Sequence, residues 1–304
     1  MASKRMAKRR REKIIKYVTG AICIILAAII WYFVNPEKPS EEYSVPNGTA
    51  EIHFIDVGQG DAVLIKVADK NILVDTGDSG AKDELFAYLD SHSVEEIEYF
   101  VVTHFDTDHF ANGVEVLETY DVKNLLIPDQ VKTTKSYEEF IDKATEQAEA
   151  NEIEVLNANE MIGEKLLIND LEVTILAPLK NNYDDSNDYS VVLMARYGNK
   201  KVLLTGDAEK EAEEDIVSKY SSGDLDCDIF KLGHHGSRTS SSKELLELAT
   251  PTYVVASCGV DNKYGHPHAE VMKRINKQLL YRTDEQGSIV FIIKDDSIAV
   301  KTEK

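Results

Sequence analysis

Four apolar, strand-like runs of this 304-residue chain each finish in side chains able to hold a metal ion. That pattern constrains the fold, because the ends of strands in a sheet gather along a shared edge, where ligands converge without long loops. The densest case is Thr103-His104-Phe105-Asp106-Thr107-Asp108-His109, directly after the apolar run Tyr99-Phe100-Val101-Val102. Residues two apart on an extended segment point the same way, so His104 and Asp106 can reach one ion. Asp108 and His109 follow a turn and can face a second ion from another direction. A lone H-x-D is common on solvated loops. The full H-x-D-x-D-H after a buried strand is better explained as a site.

The other three runs end in Lys231-Leu232-Gly233-His234-His235-Gly236-Ser237, in Asn262-Lys263-Tyr264-Gly265-His266-Pro267-His268 and in Leu203-Leu204-Thr205-Gly206-Asp207. Taken alone, Asp207 reads as a helix N-cap. Taken with the others, it belongs to an intramolecular two-metal site. Six of the eight histidines lie in these motifs, whereas His53 and His92 stand apart and read as structural.

Short apolar runs at 51–56, 62–67 and 71–74, broken by Gly58, Gly60, Asp69 and Lys70, read as a strand meander. Helical spacing at 82–92 and 134–151 surrounds the strand at 99–103. Further strands fall at 153–156, 165–168, 172–176, 190–197, 201–205, 229–232 and 252–257, with helices at 209–220, 242–248 and 268–277. A hairpin at 288–293 and 297–300 closes the series. Strand groups alternating with helices indicate an α/β fold, two packed sheets with helices on both outer faces. No linker divides residues 50–304, which therefore form one domain.

The four motifs, in this order and with FIDVGQGDAVLI and ILVDTG ahead of them, resemble the metallo-β-lactamase fold. They are most similar to the branch typified by the extracellular hydrolase domain of ComEC competence proteins. The resemblance covers roughly residues 50–300 and implies an αββα sandwich. Asp106 stands where the common signature has a second His, as is usual for that branch. Asn112 replaces one Gly of the usual pair after the cluster, with little effect expected. The resemblance implies one metal on His104, Asp106 and a histidine of the 234–235 pair, where His234 is favoured because it leaves the strand first. A second metal would take Asp108, His109 and His266, with Asp207 bridging. His235 would then support the site or donate a proton, or the pair's roles would be exchanged. Asp75 resembles the fold's buried acid that orients a ligand, and Asp61 acts similarly. Asn187 and Ser190 fall at a substrate-binding position or simply open a strand.

The implied cofactors are two divalent ions, zinc or manganese. The Asp at 106 makes the site harder and favours manganese, while affinity order favours zinc. Two such ions suit hydrolysis of a phosphodiester, whose attacking and leaving oxygens both need charge stabilisation. Asp108 is implied in catalysis, and His235 or His268 would protonate the leaving group. DNA is the substrate suggested by the branch. Phosphorylcholine or another cell-wall or lipid phosphodiester is the alternative, and a non-catalytic surface binding protein is a remote one. No protein partner is legible.

Charge is segregated along the chain. Residues 1–16 hold eight Lys or Arg against Glu12, a balance of +7, which leaves −27 of the total −20 on the remainder. Residues 17–34 carry no charge and, as a helix, would span roughly 27 Å, close to a bilayer's hydrocarbon core. This reads as an uncleaved single transmembrane helix that anchors the chain in the cell membrane. The basic tail would be cytoplasmic, 35–49 a proline-rich stalk, and 50–304 an extracellular hydrolase domain. An acidic domain is a poor nonspecific binder of nucleic acid. A basic track drawn from Lys200, Lys201, Lys231, Arg238, Lys243 and Lys263 would offset that.

Overall fold

Apolar residues on both faces of the strands set the layering. In β3 (Lys70–Val74), Ile72 and Val74 enter one core while Leu73 enters another, as period-two alternation requires. In β10 (Lys200–Leu204), Val202 and Leu204 join the first core, and Leu203 lies on the opposite side. A computed structural model of the chain describes residues 43–275 and 279–304.

These residues form two sheets. The first runs β15 (Ser297–Thr302), β14 (Ile289–Lys294), β1 (Thr49–Phe54), β2 (Val63–Val67), β3, β4 (Glu96–Val101), β5 (Asp121–Ile127), β6 (Glu154–Asn157). The second runs β13 (Leu280–Arg282), β12 (Tyr253–Ala256), β11 (Ile229–Lys231), β10, β9 (Val192–Tyr197), β8 (Leu171–Ala177), β7 (Lys165–Ile168). Phe54, Ile65 and Phe291 from the first sheet share the central core with Ile175, Leu193 and Ile229 from the second.

Helices cover the outer faces. Against the first sheet lie α1 (Lys82–Ser91), α2 (Thr107–Phe110), α3 (Gly113–Thr119) and α4 (Lys135–Glu149). The Thr134 side chain caps α4 by accepting the Tyr137 N–H, and Phe140 and Ala144, one turn apart, bury against Phe100 and Phe110. Truncating Phe140 to Ala would cost about 3–5 kcal/mol. Against the second sheet lie α5 (Lys210–Lys219), α6 (Lys243–Ala249) and α7 (Ala269–Arg274), through Ala212, Ile216, Leu245 and Val271.

The pairing β3–β4 is parallel, as is β10–β11–β12, so five carboxyl ends open on the same side of their sheets. β5 has no counterpart in the sequence reading, because Lys123 and Asn124 interrupt its alternation. The sheet accommodates Asn124 because its side-chain amide donates a hydrogen bond to the Glu98 carbonyl. The short helices α2 and α3 also went unanticipated.

Cys227 and Cys258 are buried free thiols. His53 is buried against Tyr88 and Glu51, and His92 stacks on Tyr88, so both are packing residues. The apolar segment 17–34 lies outside the described residues, among which no helix is long and apolar enough to cross a membrane.

Candidate metal centre

β3 delivers the first element of the site. Directly after Val74, Asp75 adopts a left-handed backbone (φ 61°) and turns its carboxylate under β4, where it is 1% exposed. It accepts the Thr103 N–H at 2.8 Å, the Thr103 hydroxyl at 2.7 Å and His109 Nδ1–H at 2.7 Å. A proton held on Nδ1 leaves the His109 Nε2 lone pair free for a metal. The Gly58–Asp61 loop presses on this turn, and a Cβ at Gly60 would meet the Asp108 carbonyl oxygen at 2.5 Å.

The second sheet supplies the opposite wall. Asp207 follows β10, and its N–H donates to Ser190 Oγ at 3.0 Å. After β11, His234 (φ 48°) and His235 (φ 54°) are both left-handed. Such strain costs roughly 1–3 kcal/mol per residue and marks functional turns. The turn directs His235 inward, where it is 1% exposed, and leaves the His234 side chain 26% exposed. His235 Nδ1–H donates to the Ser257 carbonyl at 3.0 Å, so its Nε2 is again the free nitrogen.

The free atoms converge. His235 Nε2 lies 3.3 Å from Asp108 Oδ2 and 3.4 Å from Asp207 Oδ2, and His109 Nε2 lies 3.3 Å from Asp207 Oδ1. Despite these distances, the Nε2 atoms of His104, His109 and His235 and Asp207 Oδ1 are buried without a hydrogen-bond partner among the described residues. Desolvated donors that face one another without bonding are arranged around a common point. His104–His109–Asp207 and Asp108–His109–His235 each bring their ligand atoms within 4.8 Å, two overlapping sets that fit divalent cations.

The electrostatics agree. Burial, and then His109 beside it, push the His104 pKa down to about 3, so that imidazole stays neutral and able to coordinate. Burial opposes ionisation of Asp207, but the neighbouring His109 and His235 outweigh it and hold the carboxyl well below its ordinary range. Burial likewise opposes charge on His109, and Asp207 and Asp75 more than offset it, raising its pKa well above the ordinary value. Buried carboxylates that require cationic neighbours are a setting in which a metal ion displaces protons.

The remaining sequence candidates lie around this centre. Asp61 contacts His235 Nδ1 at 3.4 Å and the buried Lys231 ammonium at 2.5 Å, so Lys231 is part of the site's floor and not of a basic surface track. Three other members of that track are paired with acids. Lys200, Lys201 and Lys243 pair with Asp228, Asp226 and Glu247. Asp106 is 37% exposed and turned toward Lys132 and Ser186, outside the convergent sets. His266 stacks on His235 with centroids 6.1 Å apart, and its ring is next to His268, also outside those sets. His234 bonds Glu209 at 2.7 Å and lies 3.7 Å from Asp207. Asn187 sits at the mouth, 3.4 Å from both Glu209 and His234. Ser190 is fully buried and orients Asp207, beyond the reach of a substrate. Glu209, Lys132 and Ser186 carried no sequence signal of their own, and Lys231 was read only as part of the basic track; Lys132 and Ser186 reach the site from distant loops.

The pattern of the metallo-beta-lactamase superfamily matches residues 55–260. The chain belongs to the metallo-β-lactamase superfamily. It thus has a metal-dependent hydrolase fold, to which the donor sets above correspond. ComE operon protein 3 of Bacillus subtilis (strain 168) is 28% identical, over 95% of this chain and 38% of that protein. Competence protein ComA of Neisseria gonorrhoeae is 30% identical, over 88% of this chain and 35% of its own length. The chain therefore spans little more than a third of these curated relatives. Among solved structures, the metallo-beta-lactamase fold protein YhfI from Bacillus subtilis superposes with a TM-score of 0.50 at 12% identity, covering 83% of this chain and all of that one. That likeness concerns the fold alone.

Proposed function

We propose that this superfamily member is a metal-dependent phosphodiesterase that cleaves DNA, held at the outer face of the cell membrane by residues 17–34. The observation that carries the hydrolytic reading is the convergence of unpartnered buried donors on His104, His109, Asp207 and His235, with the half-buried Asp108 carboxylate beside them. The relative named as a competence protein supports DNA as the substrate. Divalent ions held by these residues would supply Lewis-acid stabilisation of phosphoryl oxygens and an activated water.

The chain's own groups have separable tasks. Asp75 and the Ser257 carbonyl hold the protons of His109 and His235 on Nδ1. Lys231 keeps Asp61 anionic beneath them. His235 is too buried to meet a leaving group. His268 is better placed, because its Nδ1 accepts the Arg238 N–H at 3.0 Å and its proton therefore sits on Nε2.

A second reading has a specific observation in its favour. A cleft of about 710 Å³ beside Asp108 is lined by Asp56, Asp78 and Glu84, facing Lys263 and Tyr264. A wall with more acids than bases suits a small phosphodiester with a cationic or neutral alcohol, such as a phosphorylcholine ester. Incubating metal-loaded protein with linear DNA, bis(p-nitrophenyl) phosphate and a choline phosphodiester separates the two. DNA cleavage without action on the choline ester supports the first reading, and the reverse supports the second. Inertness on all three, matched by Asp207→Ala, overturns both. Sedimentation of the full chain with membranes, with or without residues 17–34, tests the anchor.

A further inference from the structure

Within the H-x-D-x-D-H run, Asp106 is the acid that stays out of the convergent donor sets. Its Oδ1 accepts the Lys132 ammonium at 2.6 Å and the Ser186 hydroxyl at 2.7 Å, and Lys132 also bonds Ser186. Lys132 comes from the loop between β5 and α4, and Ser186 from the loop between β8 and β9. Gln130 locks these loops together. Its Oε1 accepts the Phe105 N–H at 2.8 Å, and its Nε2 donates to the Ser186 carbonyl at 2.9 Å. Three distant segments thus meet at one carboxylate oxygen.

A carboxylate oxygen already holding an ammonium is a poor ligand for a second cation, and the ammonium itself repels one. Nor does the arrangement read as a stabilising pair, since ion pairs this exposed contribute little. Its effect is to fix a positive charge. The lysine has three N–H donors, two of them taken by Asp106 and Ser186, and its side chain remains 23% exposed. The third is available on an ammonium that Asp106 holds two positions along the chain from His104, whose Nε2 is one of the unpartnered buried donors.

We infer that Lys132 is a substrate-binding residue that receives a phosphoryl oxygen, and that Asp106 and Ser186 are its tether, Asp106 not serving as a metal ligand. This rests on the phosphodiesterase reading. A lysine suits the task as a compact point charge on phosphate.

The test uses the full chain with Lys132→Met, Lys132→Arg and Asp106→Asn. Metal equivalents are counted by titration, the affinity for inorganic phosphate is measured by calorimetry, and kinetics are run on bis(p-nitrophenyl) phosphate. Lys132→Met is expected to weaken phosphate binding and raise KM by about tenfold or more, the value of one charge-assisted hydrogen bond, with a smaller change in kcat. Lys132→Arg should restore part of the loss. Asp106→Asn should shift KM in the same direction while retaining the wild-type metal equivalents. Loss of a metal equivalent in Asp106→Asn overturns the inference, as does unchanged phosphate affinity in Lys132→Met. If the wild type hydrolyses no phosphodiester, the functional reading fails, and the phosphate titration still decides the role of the lysine.

Discussion

Asp75 and His109 lie 34 positions apart and meet at 2.7 Å in the floor of the site. The contact joins the carboxyl end of β3 to the first turn of α2. It also selects the tautomer that turns His109 Nε2 toward Asp207. Asp75→Asn removes the charge that holds this proton, and outer partners of metal-bound histidines typically matter 10- to 100-fold in metal affinity. Competition against a chromophoric chelator should show a loss in about that range. Wild-type affinity in the variant would remove Asp75 from the site.

Metal should stabilise the fold directly. The buried donors on His104, His109, His235 and Asp207 are unsatisfied without an ion. Zinc or manganese at a hundredfold excess over Kd is worth about 2.7 kcal/mol, and a domain of this size then melts roughly 5–10 °C higher. Scanning calorimetry with and without a chelator reads this. His235→Ala should abolish most of the shift.

Asn112 has two uses that a glycine lacks. Its amide donates to the Thr76 carbonyl at 2.7 Å and the Asp78 carbonyl at 2.9 Å, pinning the turn after the ligand cluster to the segment that follows β3. Asn112→Gly is expected to cost about 1–3 kcal/mol in urea unfolding, because the buried Thr76 carbonyl loses this partner and the half-buried Asp78 carbonyl keeps only the Ala81 N–H.

Stability should fall with rising pH through Glu213. Burial pushes its carboxyl up to about 7 from the ordinary 4.5, against the pull of the Ser242 and Ser241 N–H groups and of Arg274. The folded chain therefore holds a proton that the unfolded chain releases. This stabilisation is complete below pH 4.5 and is lost as pH rises through 7, a change of about 3 kcal/mol. Urea unfolding from pH 4.5 to 8 should show a shallower decline in Glu213→Gln than in the wild type. Equal slopes would assign the pH dependence elsewhere.

The layered fold was legible because both faces of most strands are apolar, as at Ile72-Leu73-Val74. β5 was not, since Lys123 and Asn124 break its pattern and only the neighbouring strand's carbonyl satisfies Asn124. The four ligand-bearing motifs were legible because strand ends gather on one edge. Their individual assignments were less so. The sequence reading favoured His234 and His266 as donors, whereas the geometry brings His235 into the sets with Asp108 and Asp207.

By itself, the sequence determined the donor types and their position at the ends of buried strands, since spacing and hydrophobic periodicity are local properties. Only the tertiary structure decided which nitrogens face inward. His235 turns in because two successive left-handed residues redirect the chain and the Ser257 carbonyl takes its Nδ1–H. Lys231 is buried because Asp61 lies beneath the same strand. Asp106 turns out because Lys132 and Ser186 reach it from distant loops. Each outcome depends on partners remote in the chain, and no local pattern encodes where those partners come to rest.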